Sequence, residues 1–488
     1  MRQHYEQQRR FDSTPIGELR LNFECRDEMI PILAGLKYIY TCGELRREVV
    51  QLIAADINEE SRRDVGRPGL DDWQIVVLAA VRLGCNFDYD KLQDQAENHR
   101  ALRTLLGLGD WGADEPSFGA RRIRDTLCQL QPATLVALNH ALVSHGQALH
   151  GSAAESVRAD SFVVETNIHY PTESSLIGDG MRKIIPLCLN VAGVIGASGW
   201  RQGEHLYRRI KASVRTIAKI SASRSPRVKA GLAAAYERLL DRAEAILERA
   251  QTLQKQAQSG GPESASWALA EELQQWLALT KQVCDTAYRR VILQEEVPNS
   301  DKLFSLFETH TQLYRRGKAG TPNQFGRLLF VFEDGAGFIS HYHLMARDLG
   351  DADVVVEQTR AAQKKHRGQI RTASFDRGFY SPENEQELKK IVDEPCVPPR
   401  HPQQYKERME TAPLTFRNLR QQHSGIESAI GALQAGNGLK RCRDRQELGF
   451  ERYLGLAILG RNIHVLGKLL IARQDEHAAA ACSKRQVA

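Results

Sequence analysis

The chain has 488 residues, of which 42% are hydrophobic and 26% charged, and its formal net charge is +6 at pH 7. This length and apolar content exclude a disordered polymer and predict a folded protein of several domains. The opening MRQHYEQQRRFDST lacks an apolar run of signal-peptide length. No uninterrupted apolar stretch approaches the roughly 18 residues of a membrane helix, so we expect a cytoplasmic protein without membrane contact. Nine cysteines occur singly, without CxxC pairs, which predicts reduced thiols.

Residues 1–150 have the pattern of a helical domain. DDWQIVVLAAVRLG has acids at its start and apolar residues at helical spacing, with Trp73 on the apolar side and Gly84 as a stop. Further short helices are separated by glycines, and one of them carries Arg121, Arg122 and Arg124. This arrangement suits a helix-turn-helix-like DNA reader, but an ordinary helical packing domain fits the pattern equally well.

The pattern changes after residue 156. VRADSFVVET is rich in valine and predicts a buried strand. The following turn offers Thr172 or Ser174 as the cap of a helix, and residues 174–320 are predicted to be a large helical insertion.

Basic residues are concentrated between 201 and 230 of this insertion. Nine lysines and arginines occur there against the single acid Glu204. A polyphosphate partner selects such clusters because each neutralised phosphate releases counterions. A solvated helix face explains the pattern equally well. The candidate DNA contacts in this stretch are Arg208, Arg209, Lys211 and Arg215.

Strands and helices alternate in the last third of the chain. RLLFVFED, GFISHYHLM and IRTASF predict strands, and helices are predicted over 351–366 and from Ser381, with Pro382 at the first helical position. This alternation predicts an α/β sheet with flanking helices. His341 and His343 alternate along one strand, but two histidines without a third ligand in the motif indicate ordinary strand residues rather than a metal site.

Acidic residues stand at positions where ligands collect in α/β sheets. Asp376 ends the strand IRTASF, although an aspartate there can also simply close the turn. Asp160 lies inside an apolar strand, where a charge needs a partner or a metal. Glu427 lies on a predicted helix whose Arg420, His423 and Glu427 share one stripe, but a solvated glutamate fits the same spacing. Arg377, Lys440 and Arg441 lie nearby in sequence and could hold phosphates or form ion pairs that stabilise the fold.

Four segments resemble, in order, the conserved blocks of DDE-type transposases from bacterial insertion sequences. They are RADSFVVETNIHYPTESSLIGDG, FSLFETHTQLYRRGK, SFDRGFYSPEN and HSGIESAIGALQAGNGLKRCRDRQELGFERYLGLAILGRNIHVLG. The resemblance covers about 66 to 470, and the last two blocks are the most specific. It implies a ribonuclease H-like catalytic domain whose metal-binding triad is Asp160, Asp376 and Glu427. The gap between the two aspartates is longer than a minimal domain needs, and the helical insertion accounts for it.

The resemblance sets the expected organisation. The fold class is α/β, a ribonuclease H-like mixed sheet with flanking helices, interrupted by the helical insertion and preceded by an all-α N-terminal domain. The expected domains are 1–150 for DNA binding, 151–173 with 321–475 for catalysis, 174–320 for the insertion and 476–488 for a flexible tail.

The resemblance also implies the chemistry. Mg²⁺, which Mn²⁺ could replace, would be bound by the triad, and two such ions stabilise the attacking and leaving oxygens of an in-line displacement at phosphorus. The partner would be double-stranded DNA, both transposon ends and target, engaged by a homodimer or larger assembly in the nucleoid of a bacterial cytoplasm. Two alternatives remain: a catalytically silent repressor descended from a transposase, and a ribonuclease H-like nuclease that cuts DNA without joining it.

Overall fold

The computed structural model describes residues 14–58, 69–108, 119–261, 264–315 and 322–487, with side chains as far as residue 476. The chain divides into two compact units. Unit 1 contains Met1–Glu165 and Arg327–Ala488, and unit 2 is Thr166–Gly326. Unit 2 overlaps the predicted insertion, whereas the N-terminal helices share unit 1 with most of the predicted catalytic domain. The predicted tail falls mostly beyond the described side chains and stays a prediction.

Helices fill the first part of unit 1, as the sequence predicts. They are α1 (Met29–Thr41), α2 (Gly43–Asn58), α3 (Asp72–Gly84), α4 (Tyr89–Asn98), α5 (Arg100–Leu105), α6 (Ala120–Leu127) and α7 (Pro132–His150). The start of α3 is fixed by a capping box in which the Asp71 side chain accepts a hydrogen bond of 2.7 Å from the Gln74 backbone N–H. Trp73 is buried, as predicted, and its ring N–H donates to the Leu105 carbonyl at 2.8 Å.

The strand β1 (Ser156–Glu165) closes the first part of unit 1 and confirms the predicted strand. Unit 2 then contains α8 (Glu173–Ile195), α9 (Gly203–Ala222), α10 (Pro226–Lys229), α11 (Leu232–Gln258), α12 (Ala265–Ala287) and β2 (Gln312–Tyr314). Thr172 caps α8 by accepting from the Ser175 backbone N–H at 3.2 Å. Within the described residues, the prediction of helix as far as residue 320 is wrong after α12, where a π-helical turn over Tyr288–Ile292 leads into mostly irregular chain up to residue 315. Residues 316–320 lie outside the described part of the chain.

The last part of the chain alternates strands and helices. It contains β3 (Gln324–Asp334), β4 (Ile339–Leu344), α13 (Asp351–Lys365), β5 (Thr372–Phe375), α14 (Pro382–Leu388), β6 (Glu394–Cys396), α15 (Pro402–Thr411), α16 (Leu414–His423), α17 (Gly425–Ala435) and α18 (Gln446–Val487). Ser381 caps α14 and Pro382 is its first residue, as predicted. These bounds confirm the predicted order of strands and helices.

The strands form one mixed sheet in which neighbours follow the order β3, β1, β5 and β6. β1 pairs with β5 and β5 with β6 in parallel, while β4 pairs antiparallel with β3. In unit 2, β2 pairs antiparallel with the first residues of β3. The structure is therefore a helix-rich α/β fold with a mixed sheet.

The long helix α18 is the centre of the unit 1 core, because α1, α3 and α7 all pack against it. Gly84 and Gly460 let α3 and α18 approach closely, since a Cβ on Gly460 would lie 2.5 Å from the Gly84 nitrogen. The segment Gln446–Glu476 is long and apolar enough to cross a membrane by composition, but 67% of its most apolar window is buried within the fold. This burial is typical of a core helix.

Candidate active site

Three carboxylates from three different elements line one cavity of about 550 Å³ in unit 1. Asp160 lies on β1, Asp376 directly follows β5, and Glu427 lies in the first turn of α17. In the parallel β1–β5 pair Ala159 is in register with Phe375, and the residue that follows each of them in the sequence is one of the aspartates. Helix α17 packs against β1 through an apolar side that includes the buried Ile426.

Asp376 stands where the strand gives way to a short turn. The Phe379 N–H donates to the Asp376 carbonyl at 3.2 Å, and the Asp376 side chain makes no capping hydrogen bond. The Arg400 guanidinium donates to the carbonyls of Arg377 and Gly378 in the same turn. The alternative that this aspartate serves only to close the turn therefore lacks its expected contact. The carboxylate is half exposed toward the cavity.

Asp160 is half-buried, and local hydrogen bonds orient it. Its Oδ1 accepts from the Ser161 backbone N–H at 2.7 Å. The Ser161 hydroxyl in turn donates to Asp351 Oδ1 at 2.5 Å, which connects β1 to the first residue of α13. These hydrogen bonds offset part of the free-energy cost of placing a charge inside an apolar strand.

The helix predicted to carry Arg420, His423 and Glu427 is divided in two. α16 ends at His423 and α17 begins at Gly425, with Ser424 between them. The backbone of Ser424 keeps helical angles between the two helices, and the shared stripe stays a prediction. All three side chains nevertheless line the same cavity, and Glu427 is exposed there.

Arg158 connects this helical corner to the sheet. Its Nη2 donates to Glu333 Oε2 on β3 at 2.7 Å, and its Nη1 donates to the Gln422 carbonyl at 3.2 Å. A Cβ on Gly425 would overlap the guanidinium. The sequence analysis missed this residue, although an arginine inside the apolar strand, two residues before Asp160, is a signal that could have found it.

Arginines supply positive charge at the cavity. Arg420 Nη2 lies 3.6 Å from Asp376 Oδ1, and Arg417 also lines the cavity. Arg377 is half-buried, and its guanidinium lies 3.9 Å from the centre of the Tyr405 ring, which is a cation–π contact. Of the predicted phosphate contacts, Arg420 is therefore the arginine that faces the carboxylates.

His423 is buried in the cavity wall, where its Nδ1 lies 3.1 Å from the Ser374 hydroxyl. Burial, together with the nearby Arg420 charge, lowers the pKa of His423 to about 4. The ring is therefore neutral at pH 7. A charge-assisted phosphate contact from His423 is not favoured in this conformation, whereas a neutral hydrogen bond is.

Lys440 and Arg441 run beside the end of β1, and neither lines the cavity. The Arg441 guanidinium forms a 3.0 Å ion pair with Glu165, which is the structural role considered for it. The Lys440 side chain is exposed, and its carbonyl accepts from the Glu165 backbone N–H at 3.3 Å. The remaining predicted DNA contacts, on α9, are exposed in unit 2.

Other acids, which the resemblance does not assign to the metal-binding triad, form contacts that do not involve the cavity. Glu447 pairs with Arg327 at 2.9 Å, and Asp179 pairs with Arg182 at 3.2 Å. Asp334 is buried and accepts from the Gln147 side chain at 2.8 Å. His341 is also buried, with its Nε2 3.0 Å from Gln358 Oε1. These contacts agree with structural roles.

The donor atoms of the cavity are of the type that a hard divalent ion needs. The carboxylate oxygens of Asp160, Asp376 and Glu427 are the ligand type that Mg²⁺ prefers. In this conformation, however, no group of three or more His, Cys, Asp or Glu side chains within the described residues is arranged to hold a metal ion. The donor chemistry therefore fits such an ion, while Asp376 is instead in contact with Arg420.

Comparisons with known proteins were made for the whole chain. Searches of curated proteins and of solved structures each gave no match. Residues 304–463 match the family model of the transposase DDE domain, a segment that contains Asp376 and Glu427 and begins after Asp160. The match confirms the resemblance to DDE-type transposases over residues 304–463.

Proposed function

We propose that this protein is a DNA transposase that binds terminal inverted repeats and uses Asp160, Asp376 and Glu427 to cleave and join DNA strands. The observation that carries the proposal is the meeting of these three carboxylates, from β1, the end of β5 and α17, around one cavity. The family match over residues 304–463 supports the same reaction class, phosphoryl transfer on DNA.

The three carboxylates are the groups that would hold divalent cations, Mg²⁺ or Mn²⁺. When bound, such ions would stabilise the attacking and leaving oxygens of an in-line displacement at phosphorus. Arg420 contacts Asp376 in this conformation, and we expect this ion pair to break when the Asp376 carboxylate binds a metal ion. The guanidinium would then be available to a phosphate oxygen, for which its planar donor array is suited.

The reaction has two displacements. In cleavage, a water oxygen bonds to phosphorus at the transposon end, the bond from phosphorus to the 3′-oxygen breaks, and a 3′-hydroxyl is released. In joining, that hydroxyl attacks a target phosphodiester, loses its proton to solvent and displaces a target 3′-oxygen, which is protonated. Arg417 and Arg420 would orient the scissile phosphate in both steps, and neutral His423 would offer one hydrogen bond.

Other parts of the chain complete the proposal. The helices within residues 1–150 would read the inverted repeats, and the sheet with its helices would be a ribonuclease H-like catalytic domain. Because two transposon ends must be joined together, the active species would be a homodimer or a larger assembly on DNA. The family match suggests a protein that acts on DNA in the cytoplasm, and nucleoid association would follow.

The proposal is tested with the DNA that flanks the coding sequence. Labelled duplexes from both flanks are incubated with the full-length protein, Mg²⁺ and a supercoiled target plasmid, and nicked and joined products are separated on denaturing gels. Asp160→Asn, Asp376→Asn and Glu427→Gln should each lower cleavage by on the order of 10³-fold or more while binding to the ends survives. The exposed Glu357→Gln, on α13, is the matched control and should cut normally.

Each outcome has a distinct meaning. Carboxylate variants that cut at near-normal rates would remove these residues from the active site. Nicking that is never followed by joining would favour the nuclease alternative. Binding to the ends without any cutting, with Mg²⁺ or with Mn²⁺, would favour the silent repressor.

A further inference from the structure

Helix α9 in unit 2 has two sides of opposite character. Its inner side is buried against α8 and α11 and includes Ile210 and Ile217. The opposite side carries exposed basic residues at positions i, i+3, i+7 and i+11, a spacing that places them on one face. These residues are Arg208, Lys211, Arg215 and Lys219.

The chain itself does not neutralise this face. Within the described residues, none of the four side chains forms an ion pair, and the nearest acid in sequence is Glu204, one turn earlier on α9. Exposed small residues, Ala212 and Ala218, lie among the cations. An exposed row of cations without ion pairs is therefore open to a partner that carries repeated negative charge.

The chemistry of the face selects the kind of partner. The four cations span about 16 Å along the helix, at a rise of about 1.5 Å per residue. Over that length one strand of B-DNA presents about five phosphates, one every 3.4 Å or so. Exposed aromatic residues, which single-stranded nucleic acids need for base stacking, are lacking on this face of the described helix. An amphipathic membrane helix is also a poor match, because the apolar side of α9 is already buried.

We propose that the outer face of α9, defined by Arg208, Lys211, Arg215 and Lys219, binds the phosphate backbone of double-stranded DNA without reading its sequence. This inference rests on the proposed function only in taking DNA as the partner. Arg209 is not part of this DNA-binding face, because it lines a cavity of about 240 Å³ together with Asp241 and Arg242 of α11.

The test measures the salt dependence of binding. The full-length protein is titrated into a fluorescently labelled duplex of random sequence at a series of NaCl concentrations, and anisotropy gives the association constant. The quadruple variant Arg208→Gln, Lys211→Gln, Arg215→Gln, Lys219→Gln should bind more weakly, and its slope of log K against log salt should be less steep by about 3 to 4. Arg215→Gln alone should reduce the slope by about 1.

A matched control removes the same charge from other exposed positions of unit 2. It is the quadruple variant Arg201→Gln, Arg238→Gln, Lys255→Gln, Lys281→Gln. Its slope should change by less than about 1, because these residues do not share the α9 face. Far-ultraviolet circular dichroism of both quadruple variants checks that they are folded. If the α9 quadruple variant is unfolded, the single variant Arg215→Gln provides the test.

Two results would overturn the inference: an unchanged slope in the α9 variants, or an equal change in the control, which would show an effect of net charge alone. Cleavage of the flanking DNA is measured in parallel. If the wild-type protein cuts DNA but the α9 variants keep the full slope, only the proposed role of the α9 face is rejected. If the α9 variants show the expected loss of slope but the wild-type protein never cuts DNA, only the proposed function is rejected.

Discussion

The guanidinium of Arg158 occupies the space that a side chain on Gly425 would need. Arg158 lies on β1 two residues before Asp160, and Gly425 begins α17 two residues before Glu427. The ion pair with Glu333 and the hydrogen bond to Gln422 fix the guanidinium in that position. The contact therefore sets how closely the helix that carries one candidate catalytic acid approaches the strand that carries another.

Gly425→Ala should push α17 away from β1. Overpacking at a site whose neighbour is held by two other contacts costs about 1 to 3 kcal/mol. We expect the free energy of unfolding in urea to fall by that amount, and DNA cleavage to fall by more than the loss of folded protein explains, because Glu427 shifts relative to Asp160.

Gly431→Ala is the matched control in the same helix. A Cβ at this position meets no atom within 4 Å. Alanine favours a helix interior over glycine by up to about 1 kcal/mol, so this variant should be as stable as the wild type or more stable, with normal cleavage. Equal behaviour of the two alanine variants in both assays would contradict the positioning role of the Arg158–Gly425 contact.

Replacement of Arg420 should lower DNA cleavage much more than replacement of Arg441, although both residues are predicted phosphate contacts. Arg420→Ala removes a cation next to Asp376 and should lower cleavage by about 10- to 100-fold, the value of one charge-assisted hydrogen bond to phosphate. Arg441→Ala loses a surface ion pair with Glu165, which is worth roughly 0 to 1 kcal/mol. Its cleavage rate should stay within about twofold of the wild type in single-turnover assays.

The reverse order of effects would assign the phosphate contact to the end of β1 instead of the cavity. A loss of stability in Arg420→Ala large enough to explain the lower rate would show that Arg420 acts through the fold and not through the phosphate. Urea unfolding of both variants, under the buffer conditions of the cleavage assay, measures this directly.

Local signals in the sequence were sufficient where one residue determines one structure. Ser381 caps its helix as predicted, and of the two candidates Thr172 and Ser174 the cap is Thr172, because a side chain that accepts from a nearby backbone N–H acts within one turn. The cap of α3, Asp71, is one of the acids predicted at the start of that helix. The strands β1, β3, β4 and β5 could also be predicted, since each is a compact apolar run with turn residues beside it. The short β2 and β6, with sequences QLY and EPC, lack such a run.

Features that depend on distant contacts could not be predicted in this way. The division of α16 from α17 occurs at Ser424, whose backbone keeps helical angles, φ −55° and ψ −23°. The Ser424–Gly425 pair is a turn signal in the sequence, but a glycine is also tolerated inside a helix, so this pair alone does not predict the division. The Arg158 contacts join β1 to β3 and to the α16–α17 corner, and only the folded sheet brings these elements together. The contacts that join α1, α3 and α7 to α18 also link residues that are distant in the sequence.

Removal of residues 1–150 should therefore unfold unit 1. Helices α1, α3 and α7 cover α18, and buried residues such as Trp73 and Ile463 belong to one continuous core. Without those helices a large apolar surface of α18 is exposed. We expect the fragment 151–488 to aggregate on expression, or to lack a cooperative thermal transition by circular dichroism. A soluble fragment with a sharp transition would show that the N-terminal helices form an independent domain.

Asp334 should make the stability of the protein depend on pH. Burial raises the pKa of this carboxyl to about 7, against the hydrogen bonds from Gln147, Phe338 and Ala336 that favour the ionised form. Between about pH 4 and pH 7 the folded state thus holds a proton that the unfolded state has released. The stabilisation is complete below the unfolded pKa and is lost as pH rises through 7, at up to about 1.4 kcal/mol per pH unit.

Asp334→Asn removes this titration while the side-chain oxygen can still accept from the backbone N–H groups of Ala336 and Phe338. The difference in unfolding free energy between wild type and variant, measured in urea at pH 5, 6, 7 and 8, should therefore shift in favour of the variant as pH rises. Other titrating groups, including buried His366, are present in both proteins and cancel in the difference. Parallel curves over this range would mean that Asp334 is already ionised in the folded protein at pH 5, and that its hydrogen bonds outweigh its burial.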